Sequence, residues 1–264
     1  MAFDINNFVI DRIVRGIALS QKDGSVLFSI NQIQNASLNC ASESADAVDA
    51  MGTPIATFYR AKSAEFSAEN ALFDMNLMAT QLGTSKKVAT TGSTILAPAM
   101  ENFTTDGTTY TLKNTPVGNI KEIYALNADS TFGKKYKLGT GSAGADTFTV
   151  SGTTLTLPTS VEKGTEMFVM YEYNAKNAVE VVNSATQFPV GCKFVMEVLG
   201  CDVCDQTNLV YAYVIFNNAK LSPDFDWNIA TDGTHPFSMK AQQDYCDKEK
   251  RLFSIIIPGE EENA

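Results

Sequence analysis

Short runs rich in Thr, Val, Ile, Phe and Tyr, broken every few residues by Gly, Asn, Asp or Pro, leave this chain little room for long helices. The pattern is densest in the middle third. There "TTYTLKN", "IKEIYAL", "DTFTVSG", "TTLTLP" and "EMFVMYEYN" succeed one another as strand-sized pieces between turns, spacing that implies a small β-sandwich or barrel. The 264 residues, 44% of them hydrophobic, suffice for a sizeable core in one or two domains. The expected fold class is mainly β.

The flanking thirds carry longer elements. In "KDGSVLFSINQI" Asp23-Gly24 reads as a turn, after which Val26, Phe28 and Ile30 alternate with Leu27, Ser29 and Asn31. "ASLNCASE" and "IATFYRAKSAEF" read as the arms of a hairpin joined by "SADAVDAMGTPI", residues 44–55. A loop of that length is unusual, since hairpin loops commonly span two to five residues. One helix is expected over 67–83, with Ser67 as N-cap, Glu69 in the first turn, Gly83 at C′, and an apolar stripe of Ala68, Ala71, Leu72, Met75, Met78, Ala79 and Leu82. The stripe reads as packing on a sheet.

After residue 183 longer apolar strands return in "CKFVMEVLGC", "LVYAYVIFNNAKL", "DFDWNIA" and "RLFSIIIP", the run "LVYAYVIF" reading as a strand covered on both faces. If the first and last thirds share one sheet system, residues 1–93 and 184–264 form one domain and residues 94–183 an inserted β-sandwich. The N-terminal "MAFDINNFVIDRIV" reads as a mobile arm exposing Phe3, Ile5, Phe8 and Ile10 unless docked, and "GEEENA" as a mobile tail.

The residues offer little chemistry. His235 lies between turn residues in "DGTHPF", where no partner is evident to orient it for catalysis. Cys201 and Cys204 form one C-x-x-C, with Cys192 upstream and Cys246 downstream, but a zinc site made of these four would lack a second close pair. Unliganded, reduced thiols are the expected reading, and no metal or cofactor is expected. Asp224, Asp226 and Asn228 begin like a calcium loop, yet Ile229 stands where the tight turn needs Gly and His235 where the loop needs Glu. A strand with Phe225, Trp227 and Ile229 inward explains the alternation better. "LGTGSAGAD" lacks the Gly-Lys-Ser/Thr ending of a phosphate loop, and the Asn-x-Thr at Asn102 to Thr104 reads as a turn. An enzyme is not expected.

The net charge of −10 disfavours gripping nucleic acid through its phosphates, while suiting a wall past which DNA slides. No secretory signal and no apolar run of spanning length stand in the sequence, so synthesis in the cytoplasm and no membrane insertion are expected.

The order of hairpin, helix and closing strands resembles that of tail tube proteins of long-tailed bacteriophages. The carrying residues are "SLNCASESADAVDAMGTPIATFYRAKSAEF", "SAENALFDMNLMATQLG" and "YAYVIFNNAKLSPDFDWNIATDGTHPFSMKAQQDYCDKEKRLFSIII". The resemblance implies a virion protein with a tail-tube-like β-sandwich or barrel, one flanking helix and an added immunoglobulin-like domain. It implies hexameric rings whose sheets join around a channel for DNA, stacked through the hairpin tip, with other tail proteins as partners. Asp46, Val48, Asp49, Met51 and Ile55 are then the expected contacts with the next ring. A capsid decoration or head-tail connector protein, and a carbohydrate-binding adhesin, are the competing readings; the single Trp speaks against the last.

Overall fold

A computed structural model describes residues 7–245 and 248–259. Phe3, Ile5, Cys246 and the end of the chain from Glu260 lie outside the described residues. The chain divides into two compact units, one made of Met1–Lys86 and Val181–Ala264, the other of Lys87–Glu180. In chain order the elements are β1 (Phe8–Ser20), β2 (Val26–Ile30), β3 (Ile33–Val48), β4 (Pro54–Asn70) and α1 (Met75–Gln81). The second unit then contributes β5 (Lys87–Val88), β6 (Ile95–Thr104), β7 (Thr109–Thr111), β8 (Glu122–Leu126), β9 (Phe132–Leu138), β10 (Thr147–Ser151), β11 (Thr154–Thr156), β12 (Glu166–Ala175) and β13 (Val179–Glu180). The first unit resumes with β14 (Gly191–Asp202), β15 (Asp205–Leu221), β16 (His235–Ala241) and β17 (Ser254–Ile256). The fold is mainly β, with a single helix among the described residues.

The first unit is an antiparallel sheet in the order β2-β1-β14-β15-β16-β4-β3, with β17 added to β15. Alternation along β4, β14 and β15 sends Phe66, Phe194 and Phe216 to one face, where they meet Phe28 and Phe237 at ring-centroid distances of 5.8–6.4 Å. Leu77 of α1 is buried in the same cluster. Gly16 allows this closeness, because a Cβ there would stand 2.8 Å from the Phe194 ring.

Four expectations for this unit are corrected. The N-terminal segment is no free arm from Phe8 onward: it is β1, paired with β14 from Phe8↔Asp202 to Ser20↔Cys192. The helix starts seven residues late. Residues 67–70 stay in β4, where Phe66, Ala68 and Asn70 alternate inward and pair with β16, so sheet pairing overrides helix propensity. Asp74, not Ser67, is the N-cap: its Oδ1 accepts from the Asn76 and Leu77 N–H groups at 2.9 and 2.7 Å. Gly83 does stand at C′ with φ +68°. Residues 224–229 are loop, leaving Ile229 exposed and Trp227 half-exposed. Finally, "LVYAYVIF" is covered on one face only, since Ala212 and Phe216 are buried while Leu209 and Tyr211 are exposed.

The second unit contains a sheet in the order β6-β12-β8-β9-β10-β11-β7, with β9 and β10 parallel, and the small β5–β13 pair. Its core joins Phe103, Ile123, Tyr136, Phe148, Leu155 and Met167. Asn102 to Thr104 belongs to β6, not to a turn. β6 tolerates Pro98, which has no N–H to give, because it is an end strand. The buried Glu101 carboxylate accepts from Tyr110 Oη at 2.9 Å, from the Lys113 N–H at 3.1 Å and from Tyr171 Oη, tying β6 to β12 and to the chain after β7. Burial beside this carboxylate pushes the Tyr110 phenol up to about 12.

Candidate functional site: the protruding hairpin

β3 and β4 pair from Ile33↔Asn70 out to Val48↔Pro54. On β4, Ala64 is the last buried residue toward the tip, and all of 54–63 is exposed. At about 3.3 Å per residue the hairpin therefore runs about 30 Å past the core. Over that length β4 pairs only with β3, and β3 has no second partner strand among the described residues. The result is a two-stranded ribbon with both faces exposed and both outer edges unpaired.

The expected twelve-residue loop is thus mostly strand, and the tip proper is 49–53. Asp49 builds it. Its Oδ1 accepts from the Met51 and Thr53 N–H groups at 2.8 and 2.9 Å, its own N–H donates to the Thr53 carbonyl at 2.9 Å, and Gly52 supplies φ +86°. Small residues permit tight pairing along the arm, whereas the closing geometry rests on one Asp and one Gly.

Two irregularities interrupt the hairpin, one within its buried root and one just beyond the point where it leaves the core. In β3, Asn35 has φ +53° where the register shifts between Gln34 and Ser37. In β4, Ala61 has φ +47° where it shifts between Ala41 and Glu43 on the partner strand. Extra residues of this kind are β-bulges, which bend a strand and re-aim the residues beyond the bend. Asn accepts a left-handed conformation readily; Ala does so at a cost of roughly 1–2 kcal/mol.

The five residues expected to make contacts all lie on this ribbon. Asp46 and Val48 are on β3, Asp49 and Met51 in the tip, and Ile55 on β4. Val48, Met51 and Ile55 are exposed, Met51 at 91%. Asp49 spends its side chain on closing the tip. Phe58 and Tyr59, both exposed, are not among the residues expected from sequence. Their adjacency was the available signal: neighbours in a strand point to opposite faces, so a hairpin packed on one side buries only one of them.

The chemical candidates end up apart from the ribbon. Cys192 and Cys201 sit nine residues apart on one strand, about 30 Å, too far to share a metal. Burial pushes the Cys192 thiol up to about 11. Val203 and Cys204 form the two-residue turn between β14 and β15, so the C-x-x-C is a hairpin corner. Asp224 and Asp226 lie on the loop before β16. His235, expected to lack an orienting partner, is fully buried and has one: its Nε2 is 2.8 Å from Gln81 Oε1. Among the described residues no group of three or more His, Cys, Asp or Glu side chains is placed to hold a metal ion, and no helix is long and apolar enough to cross a membrane.

The first unit is therefore defined by an antiparallel sheet that extends a long, bare hairpin. Residues 8–252 match the YomU/Tube protein family, and the chain belongs to it. That makes it a phage tube-type structural protein, a component of the virion tail. No curated protein matches the chain.

Proposed function

We propose that the chain is the repeating subunit of a phage tail tube, a non-catalytic protein that forms hexameric rings and stacks them through the hairpin arm. The carrying observation is the unpartnered ribbon. An isolated two-stranded hairpin is marginal in water, yet this one displays Val48, Met51, Ile55, Phe58 and Tyr59. Burying such a side chain contributes about 1.5–3 kcal/mol, so a neighbouring copy that covers several of them supplies the stability the ribbon lacks alone. The unpaired edges of β3 and outer β4 offer N–H and C=O groups for the same contact. A net charge of −10 suits a channel that lets DNA pass without holding it.

Electron microscopy of the purified protein tests this. Rings or tubes are expected from the wild-type chain, and a folded subunit that does not stack is expected from Met51→Asp with Ile55→Asp. Monomers under all conditions, or normal tubes from the double variant, would count against the reading.

A further inference from the structure

The loop 222–234, between β15 and β16, is fastened by rings. Trp227 stacks on Phe73 at 4.3 Å and an interplanar angle of 13°, and Phe73 stacks in turn on His235 at 5.2 Å. Phe225 of the same loop leans on the imidazole at 6.0 Å. Between the loop and the root of the hairpin lies an open pocket of about 220 Å³, lined in part by Asn35, Glu69, Phe225 and Pro236.

His235 is held in one protonation state by its partners. The Asp74 backbone N–H can only donate, and it points at Nδ1 at 3.4 Å, so Nδ1 carries no proton. Nε2 then donates to Gln81 Oε1, while the Gln81 amide nitrogen donates to the Pro236 carbonyl at 3.1 Å. A second proton on the ring would set an N–H against the Asp74 N–H and place a charge in a fully buried site. The acids nearby are engaged: Asp74 caps α1, and Glu69 of β4 accepts from Thr234 and Asn35. The loop itself brings Asp224, Asp226 and Asp232, while α1 offers neutral Gln81 and β16 carries Lys240. The closed arrangement also leaves Asn70 Oδ1, opposite His235 in the β4–β16 register, buried without a hydrogen-bond partner.

We propose that 222–234 is an acid-released strap, closed over the root of the hairpin while His235 is neutral and opened when that ring takes a proton. Burial lowers the imidazole from its ordinary 6.5, against a smaller opposite pull from Asp74. The open form therefore binds a proton more readily. Closure is fully favoured above pH 6.5 and is lost as pH falls from there through the lower value of the closed form.

The chain carries one His and one Trp, and both belong to this stack. The test monitors Trp227 fluorescence, the His235 imidazole NMR signals and far-UV circular dichroism on the full-length subunit, from about pH 8 to about pH 4. The expected result is a Trp227 change and a His235 titration with a shared midpoint below 6.5, the β signal remaining intact. Replacement of the ring in His235→Gln removes the Trp227 transition. Trp227 emission that stays constant until the β signal is lost overturns the proposal, as does a transition that survives in His235→Gln. Should that variant fail to fold, Phe73→Leu cuts the stack between the two rings; His235 then still titrates, but the Trp227 change no longer accompanies it. A Trp227 change in Phe73→Leu with a midpoint different from that of His235 overturns the proposal.

Discussion

At its root the β3–β4 hairpin buries Ala64, Phe66, Ala68 and Asn70 in strict alternation, whereas the outer ten residues of β4 bury none. β3 accompanies the strand throughout, but β16 pairs with it only from Glu65 to Asn70, so the root is hydrogen-bonded on both edges and the arm on one. Packing differs as well. At the root, side-chain identity is fixed by an aromatic cluster; along the arm it is free of the subunit's own core and is left to whatever the arm meets. The bulge at Ala61 falls between the two regimes, three residues from the last buried side chain.

Matched truncations at the root and on the arm should differ most. Phe66→Ala should lower the stability of the isolated subunit by about 3–5 kcal/mol in urea unfolding, and Phe58→Ala by no more than about 0.5 kcal/mol. A large loss from Phe58→Ala would mean that the arm packs on its own subunit. Thiol reactivity offers the next contrast. Exposed Cys40 on β3 should react with a disulfide reagent in the native state, while Cys192, raised from 9.0 to about 11, has about a hundredfold less thiolate at neutral pH and is buried besides. Cys40→Ser should remove one fast-reacting thiol from the trace.

Smaller effects refine the picture. Asp49→Ala removes two hydrogen bonds of the tip, so amide exchange at Met51 and Thr53 should accelerate by about fivefold, the equivalent of about 1 kcal/mol, with global unfolding unchanged. Ala61→Gly relieves the left-handed backbone and should stabilise the ribbon by no more than about 1 kcal/mol, read as slower exchange along β4. Faster exchange in that variant would show that the bulge is not strained.

Much of this was legible in the sequence because it rests on local rules. The Asp23-Gly24 turn lies where the chain reverses into β2, and Phe28 and Ile30 alternate inward as their spacing requires. The features that escaped depend on partners distant in sequence. "SAEN" before the helix has good helix chemistry but lies between β3 and β16, which hold it extended. "SADAV" has weak strand propensity and is strand only because Pro54–Tyr59 runs alongside it. "DFDWNIA" alternates like a strand, but Trp227 finds its stacking partner on the β4–α1 connection and the segment remains loop. His235 looked unpartnered because Gln81 is 154 residues away in sequence.

Pro98 has a consequence for solubility. An end strand such as β6 is a template on which stray chains can anneal, the first step toward amyloid-like deposits, and a proline in its middle interrupts the row of donors such growth requires. From Gln34 to Thr53 the β3 edge and the tip carry no proline at all. One edge of the second unit is thus interrupted against such annealing, while the hairpin edge keeps an unbroken row of donors.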